Sequence, residues 1–148
     1  MNSLAIADAL AARFVGLTAG GESLAGVPTA RLPNSIGAGP VILVYPPTGT
    51  GLDIGTSAMR TDLYTFEVRL LRDPSDVPSR TAALYAWYDA MHDLIGLDMD
   101  LGLGSYVNKA EPVSCRLELD GETYGGSKFD VVELIVEVLI REHITVGV

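Results

Sequence analysis

His92 is the residue best placed to do chemistry, with Asp89 about one helical turn before it and Asp93 beside it. Such a set could hold a metal ion or act as an acid/base pair. The plainer reading is stronger: a histidine among solvated aspartates on a helix surface is usually structural, and the other histidine, His143, lies far along the chain. Gly49, Gly51 and Gly55 follow an apolar run, where phosphate loops occur. They lack the Gly-Lys-Ser/Thr ending that grips phosphate, and Ile54 stands where a dinucleotide loop has its third glycine. Asp98-Met99-Asp100 opens like a calcium loop, but the fifth position is Gly102 and the twelfth is Lys109 rather than glutamate. Ser79, Ser105, Ser114 and Ser127 are not framed as a nucleophile elbow. Cys115 alternates with apolar residues and reads as a packed thiol. Glu133 and Glu137 would stand about 13 Å apart along a strand, too far for glycosidase chemistry. No catalytic residue, cofactor or metal is therefore expected.

Composition narrows the class. The chain has 148 residues, enough for one domain (1–148) with a real core. A net charge of −9 argues against general affinity for nucleic-acid backbones or anionic membranes, and would let DNA slide past without sticking. One cysteine excludes an internal disulfide and a CxxC knuckle. The opening residues lack a signal-peptide pattern and no run reaches a membrane span, so a soluble protein is expected. Hydrophobic residues make up 48% of the chain, a richness that favours burial between copies.

The elements follow from periodicity. Ile6, Leu10 and Phe14 form one stripe of a helix starting at Ser3 and ending before Gly16. Residues 17–26 read as a loop and 27–32 as an edge segment between prolines. Residues 41–45 read as a strand inside the sheet, covered on both faces. Residues 46–60, rich in Gly and Thr, read as a long mobile contact loop carrying Leu52, Asp53, Ile54, Met59 and Arg60. Tyr64, Phe66, Val68 and Leu70 alternate as the buried face of a strand. A helix over 79–95, capped by Gly96, has two apolar stripes, one through Leu84, Tyr88, Met91 and Ile95 and one through Ala83, Trp87, Ala90 and Leu94. So wide a face predicts that the part around Trp87 meets another subunit. Residues 98–104 read as a turn-rich connector, and a strand over 113–119 then reverses at Asp120-Gly121, with Gly125-Gly126 as a bulge or hinge in the return arm.

The run 128–143 is the most distinctive stretch. Glu133, Glu137 and Arg141 recur every four residues, as on a helix, yet six of the ten residues from 131 to 140 are β-branched. That favours a strand. Val132, Leu134, Val136, Val138 and Ile140 then form a core face, and Glu133, Ile135, Glu137, Leu139 and Arg141 a mixed face suited to subunit contact or a channel wall. Sixteen extended residues would span roughly 53 Å, longer than a compact domain of this size, so the strand must bend or project. The expected class is α+β, a mostly antiparallel sheet with two main helices packed on it.

Taken together, the Ile6–Phe14 helix, the Val41–Tyr45 strand, Tyr64–Leu71, the Leu84–Met91 helix and the closing hairpin make nearly the whole chain resemble the tail terminator proteins of siphovirus-type bacteriophages, those with long, non-contractile tails. The resemblance implies a homohexameric ring that caps the tail tube, ends its polymerisation and joins it to the head–tail connector or stopper. DNA would pass through without specific binding, and no membrane would be involved. It implies a virion protein, made in the host bacterial cytoplasm, with no catalytic residue. The glycine-rich stretches 18–26 and 46–58 depart from shorter members of the family. The alternatives are another neck protein, such as a head-completion, stopper or adaptor ring, and a small enzyme or ligand-binding module around His92.

Overall fold

A computed structural model describes residues 3–54, 59–74, 77–97, 101 and 107–143. Helix α1 spans Ser3–Arg13; its stripe of Ile6 and Leu10, extended by Phe14, is fully buried, and Gly16 (φ +79°) turns the chain away. Residues 17–26 are not a plain loop. They hold a small hairpin, β1 (Thr18–Ala19) and β2 (Glu22–Ser23), reversed by Gly20 and Gly21 at φ +58° and +82°. Two-residue arms are too short to show periodicity, and only the paired glycines signalled the turn.

β3 (Val41–Val44) has Ile42 and Val44 in the main core and Leu43 on the opposite side, so both faces are covered as expected. It does not lie inside the sheet. Its outer neighbour is one parallel bridge to Thr29, whose N–H donates to the Ile42 carbonyl and whose carbonyl accepts from Val44 N–H.

The long contact loop expected at 46–60 is corrected as well. Most of it is strand: β4 (Thr48–Ile54) pairs antiparallel with the first part of β5 (Met59–Arg72), with a register shift between Thr50 and Asp53. Gly and Thr without alternation carry little strand signal; the ladder offered by β5 decides the conformation.

Helix α2 runs Val77–Leu97, so Gly96 lies inside its last turn rather than beyond it. The predicted 98–104 connector lies outside the described residues apart from Leu101. β6 (Val107–Tyr124) and β7 (Ser127–His143) form the closing hairpin, and the strand reading of the terminal run holds. The reversal sits at Gly125 and Gly126, φ +58° and +86°, not at Asp120-Gly121. A tight hairpin turn of this kind wants positive φ at both central residues, which glycine supplies without strain. Asp120 (φ +54°) and Gly121 instead lie in a bulge between Glu118 and Glu122, where a Cβ on Gly121 would meet Val131 Cγ1 at 2.7 Å.

Among the described residues the strand pairs of the main sheet are antiparallel, in the order β3-β5-β7-β6, with β4 alongside the remaining part of β5. Every residue of β5 has a partner on β7, from Met59↔His143 to Arg72↔Asp130. Both helices cover one face. There Phe66, Val68 and Leu70 meet Val132, Leu134, Val136, Val138 and Ile140, all at most 1% exposed. The other face carries a smaller cluster of Leu43, Leu71, Phe129 and Val131 beside Ile36 and Tyr124, whose hydroxyl donates to the Pro33 carbonyl.

Candidate functional site

Alternation along β5 and β7 puts Arg69 and Glu133 opposite each other on the helix-free face. Arg69 Nε donates to Glu133 Oε2 at 2.8 Å, Nη1 to Glu122 Oε1 at 3.0 Å and Nη2 to Glu67 Oε2 at 2.6 Å. Its guanidinium also lies 4.2 Å from the centre of the Tyr45 ring. Arg116 of β6 joins Glu133 at 3.5 Å and pairs with Glu118. Burial opposes the charge on Arg69, but Glu122 and Glu133 outweigh it and raise its pKa above the ordinary arginine value. Burial, with Glu122 adding to it, likewise pushes the Tyr45 hydroxyl up. The Arg69 donors are directed at carboxylates of its own chain. Chemically this is a rivet across β5, β6 and β7, not a reaction centre.

A second rivet ties α2 to the sheet. Arg80 Nε and Nη2 donate to the two oxygens of Asp130 at 2.8 and 2.6 Å, and Nη2 also lies 3.0 Å from Asp120 Oδ2. Asp130, with no exposed surface, accepts further from the Asp120 N–H at 2.9 Å, which fixes the bulge of β6.

The third involves Trp87. Its indole N–H donates to Glu22 Oε1 at 3.1 Å, and the same carboxylate takes Arg72 Nε at 2.9 Å. The Arg72 hydrogen bond is the main reason the Glu22 carboxyl sits below its ordinary pKa, with burial working against it. Replacing Glu22 by glutamine should therefore weaken the fold by about 1 kcal/mol and shift the emission of the chain's one tryptophan. Urea unfolding followed by fluorescence reads both; an unchanged spectrum would remove the clamp.

The residues expected to mediate contacts separate into three groups. Trp87 is 0% exposed within the single chain, so it is not a docking side chain. The buried line of α2 runs through Leu84, Trp87, Met91 and Ile95, drawing on both sequence stripes. Glu133 is consumed by Arg69 and Arg116 and has 14% of its side chain exposed. Glu137 is half-buried between Thr65 of β5 and Glu111 of β6, and Glu111 pairs with Lys109 at 2.9 Å. Leu52, Asp53, Ile54, Met59, Arg60 and Arg141 have backbones in the β4-β5-β7 ladder, around one end of the sheet; their side chains lie outside the described residues.

His92 and Cys115 do come together. A hollow of about 280 Å³ between α2 and β6 is lined by Tyr88, His92, Pro112, Val113, Cys115 and Leu134, among others. Cys115 is exposed there, not packed as expected. It is paired opposite Leu134, but β6 is the last strand of the sheet, and the register shift between Pro112 and Ser114 leaves it at the margin. The His92 ring lies 5.6 Å from that of Tyr88, tilted by 49°, and is 3.7 Å from Asp93. Among the described residues no group of three or more His, Cys, Asp and Glu side chains is arranged to hold a metal ion. No helix among them is long and apolar enough to cross a membrane.

Sequence reasoning missed the three arginine rivets. The first alone left a visible sign, charge at alternate positions, Glu67 and Arg69 against Glu133, within otherwise apolar strands. No protein-family model matches this chain, and no curated protein matches it significantly.

Proposed function

We propose that this chain is a structural ring subunit of a siphovirus-type bacteriophage tail, capping the tail tube, ending its growth and joining it to the connector or stopper beneath the head. The observation that carries the reading is the α+β arrangement itself: two helices on one face of an antiparallel sheet whose last strand runs seventeen residues and pairs along both sides. That arrangement is the one the resemblance implies. Three of the arginines support it in a second way, because Arg69, Arg72 and Arg80 are spent on fastening strands and helices together.

In this role the surface does the work. One ring face matches the tube subunit and the other blocks further addition. The net charge of −9 keeps the passing DNA from adhering. The β4–β5 hairpin takes the place of the mobile loop as the element reaching a neighbouring ring. Deleting 46–60 would remove β4, so that contact is tested by charge substitution at Leu52 or Ile54 instead.

Native mass spectrometry decides the ring. Six chains of 15.7 kDa in one assembly is the expected result; a stable monomer at micromolar concentration would sink the proposal. A twelve-membered assembly would point to a portal adaptor.

A further inference from the structure

Backbone alternation gives the two sides of β3 different partners. Leu43 and Tyr45 turn toward β5, where the Tyr45 N–H donates to the Glu67 carbonyl at 2.9 Å, and Ile42 and Val44 turn outward. The outward groups meet a loop. Thr29 N–H donates to the Ile42 carbonyl at 3.2 Å, and Val44 N–H donates to the Thr29 carbonyl at 2.9 Å. Ala25 N–H donates to the Pro40 carbonyl at 2.8 Å, so residues 26–39 leave and return at one point. A compact excursion with its ends joined in this way is an Ω-loop.

The base of the loop and its body are held differently. Near the base, Glu22 is clamped by Arg72 and Trp87, and Gly39 N–H donates to Asp73 Oδ2 at 3.0 Å. Gly39 lies so close to β5 that a Cβ there would meet the Leu71 carbonyl oxygen at 2.5 Å. The body rests lightly. It buries Pro28, half-buries Thr29, Ala30 and Ile36, and leaves the other residues of 26–38 exposed, Val27 to 77%. A hollow of about 310 Å³ lies between it and the strand, lined by Val27, Pro33 and Ile36 from the loop and by Val41 and Leu43 from β3. The Tyr124 hydroxyl, donating to the Pro33 carbonyl, and the exposed Arg31–Asp8 pair at 3.0 Å fasten its outer part.

We propose that residues 26–38 form a lid on the β3 edge, which lifts about the Ala25–Pro40 base as one unit while the sheet beneath stays folded. Closed, the lid ends the sheet. Open, it leaves the Ile42 carbonyl and the Val44 N–H facing solvent, and an uncovered edge of that kind accepts a further strand. Local opening draws on segments with few buried apolar contacts, which describes the lid. It does not describe β3, whose Ile42, Leu43 and Val44 are at most 2% exposed. The lid does not depend on the ring reading, because its hinge and its fasteners lie within one chain.

Native-state hydrogen exchange of the full chain, followed by NMR, reads lid and sheet on neighbouring residues. The Thr29 and Val44 amides are held by the lid, Tyr45 by β5 and Ala25 by the base. After correction for intrinsic rates, Thr29 and Val44 should exchange at least about 100-fold faster than Tyr45 and Ala25, with little response to low urea. Tyr124→Phe keeps the ring and removes the hydroxyl on Pro33, so it should speed Thr29 and Val44 by roughly 2- to 10-fold and leave Tyr45 unchanged. Equal protection of these four amides, lost together as urea rises, would show that the loop opens only with the whole fold and would overturn the proposal. So would exchange of Ala25 at the Thr29 rate, which removes the hinge, or a Tyr124→Phe variant that speeds the four amides alike.

Discussion

Trp87→Ala should lower the unfolding free energy by about 3–5 kcal/mol. The side chain has no exposed surface and packs in the same core as Leu84, Met91 and Ile95 of its own helix. Removing it leaves a large cavity under α2 and strips Glu22 of one of its two donors. Since natural domains hold only about 5–15 kcal/mol in total, the variant should melt on the order of 10 °C or more below the wild type. Thermal and urea unfolding followed by circular dichroism measure this. The experiment also separates two roles for the residue. A tryptophan at a subunit contact would give a folded monomer with an unchanged urea midpoint, whereas a core tryptophan gives a destabilised chain whatever its assembly.

The second large effect is expected at Asp130. Asp130→Ala removes the acceptor of two Arg80 hydrogen bonds and of the Asp120 N–H, so the start of α2 and the β6 bulge lose their common anchor. The expected cost is about 2–3 kcal/mol, held below that of a fully enclosed pair because Asp120 still faces the arginine. Asp130→Asn keeps the shape and should cost less.

Burial alone would raise the Asp130 pKa, but the Arg80 hydrogen bonds and the Asp120 N–H override it and hold the carboxyl below its ordinary value of 3.8. The unfolded chain therefore binds the proton first as pH falls. The stabilisation is fully present above the unfolded value and is lost as pH drops through the lower folded one. Glu22, also held low, adds to the same acid limb. Stability measured from pH 5 downward should fall less steeply in Asp130→Asn than in the wild type; parallel curves would refute the coupling.

What could be read from the chain was local. The stripe of Ile6, Leu10 and Phe14 at every fourth position, the alternation of Phe66, Val68 and Leu70, and the β-branched run from Val131 to Ile140 each specify an element and its buried face without help from distant residues. What escaped depends on partners far along the chain. Arg69 meets Glu133 across a separation of 64 residues, and only the register of β5 on β7 brings them together. β4 is strand because β5 offers it a ladder, not because its glycines and threonines favour one. Asp120-Gly121 and Gly125-Gly126 both had turn chemistry. The fold uses the first as a bulge, where the Asp120 N–H reaches Asp130, and the second as the reversal. Trp87 and Cys115 were each assigned the wrong surroundings, because a sequence stripe gives a direction around its own element but not how far the neighbouring layer extends.

The full-length pairing of β5 with β7 also governs the order of folding. β5 ends at Arg72 and its partner begins at Ser127, so the central pair cannot close until α2 and β6 have been synthesised. During that interval β5 has β3 and β4 on one side and an open hydrogen-bonding edge on the other. Long-range closure of this kind folds in milliseconds to seconds rather than microseconds, and open edges are where nascent chains adhere to one another. Yield on expression should therefore depend on how quickly residues 127–143 follow α2 out of the ribosome, and slowing translation between them should favour aggregates over folded protein.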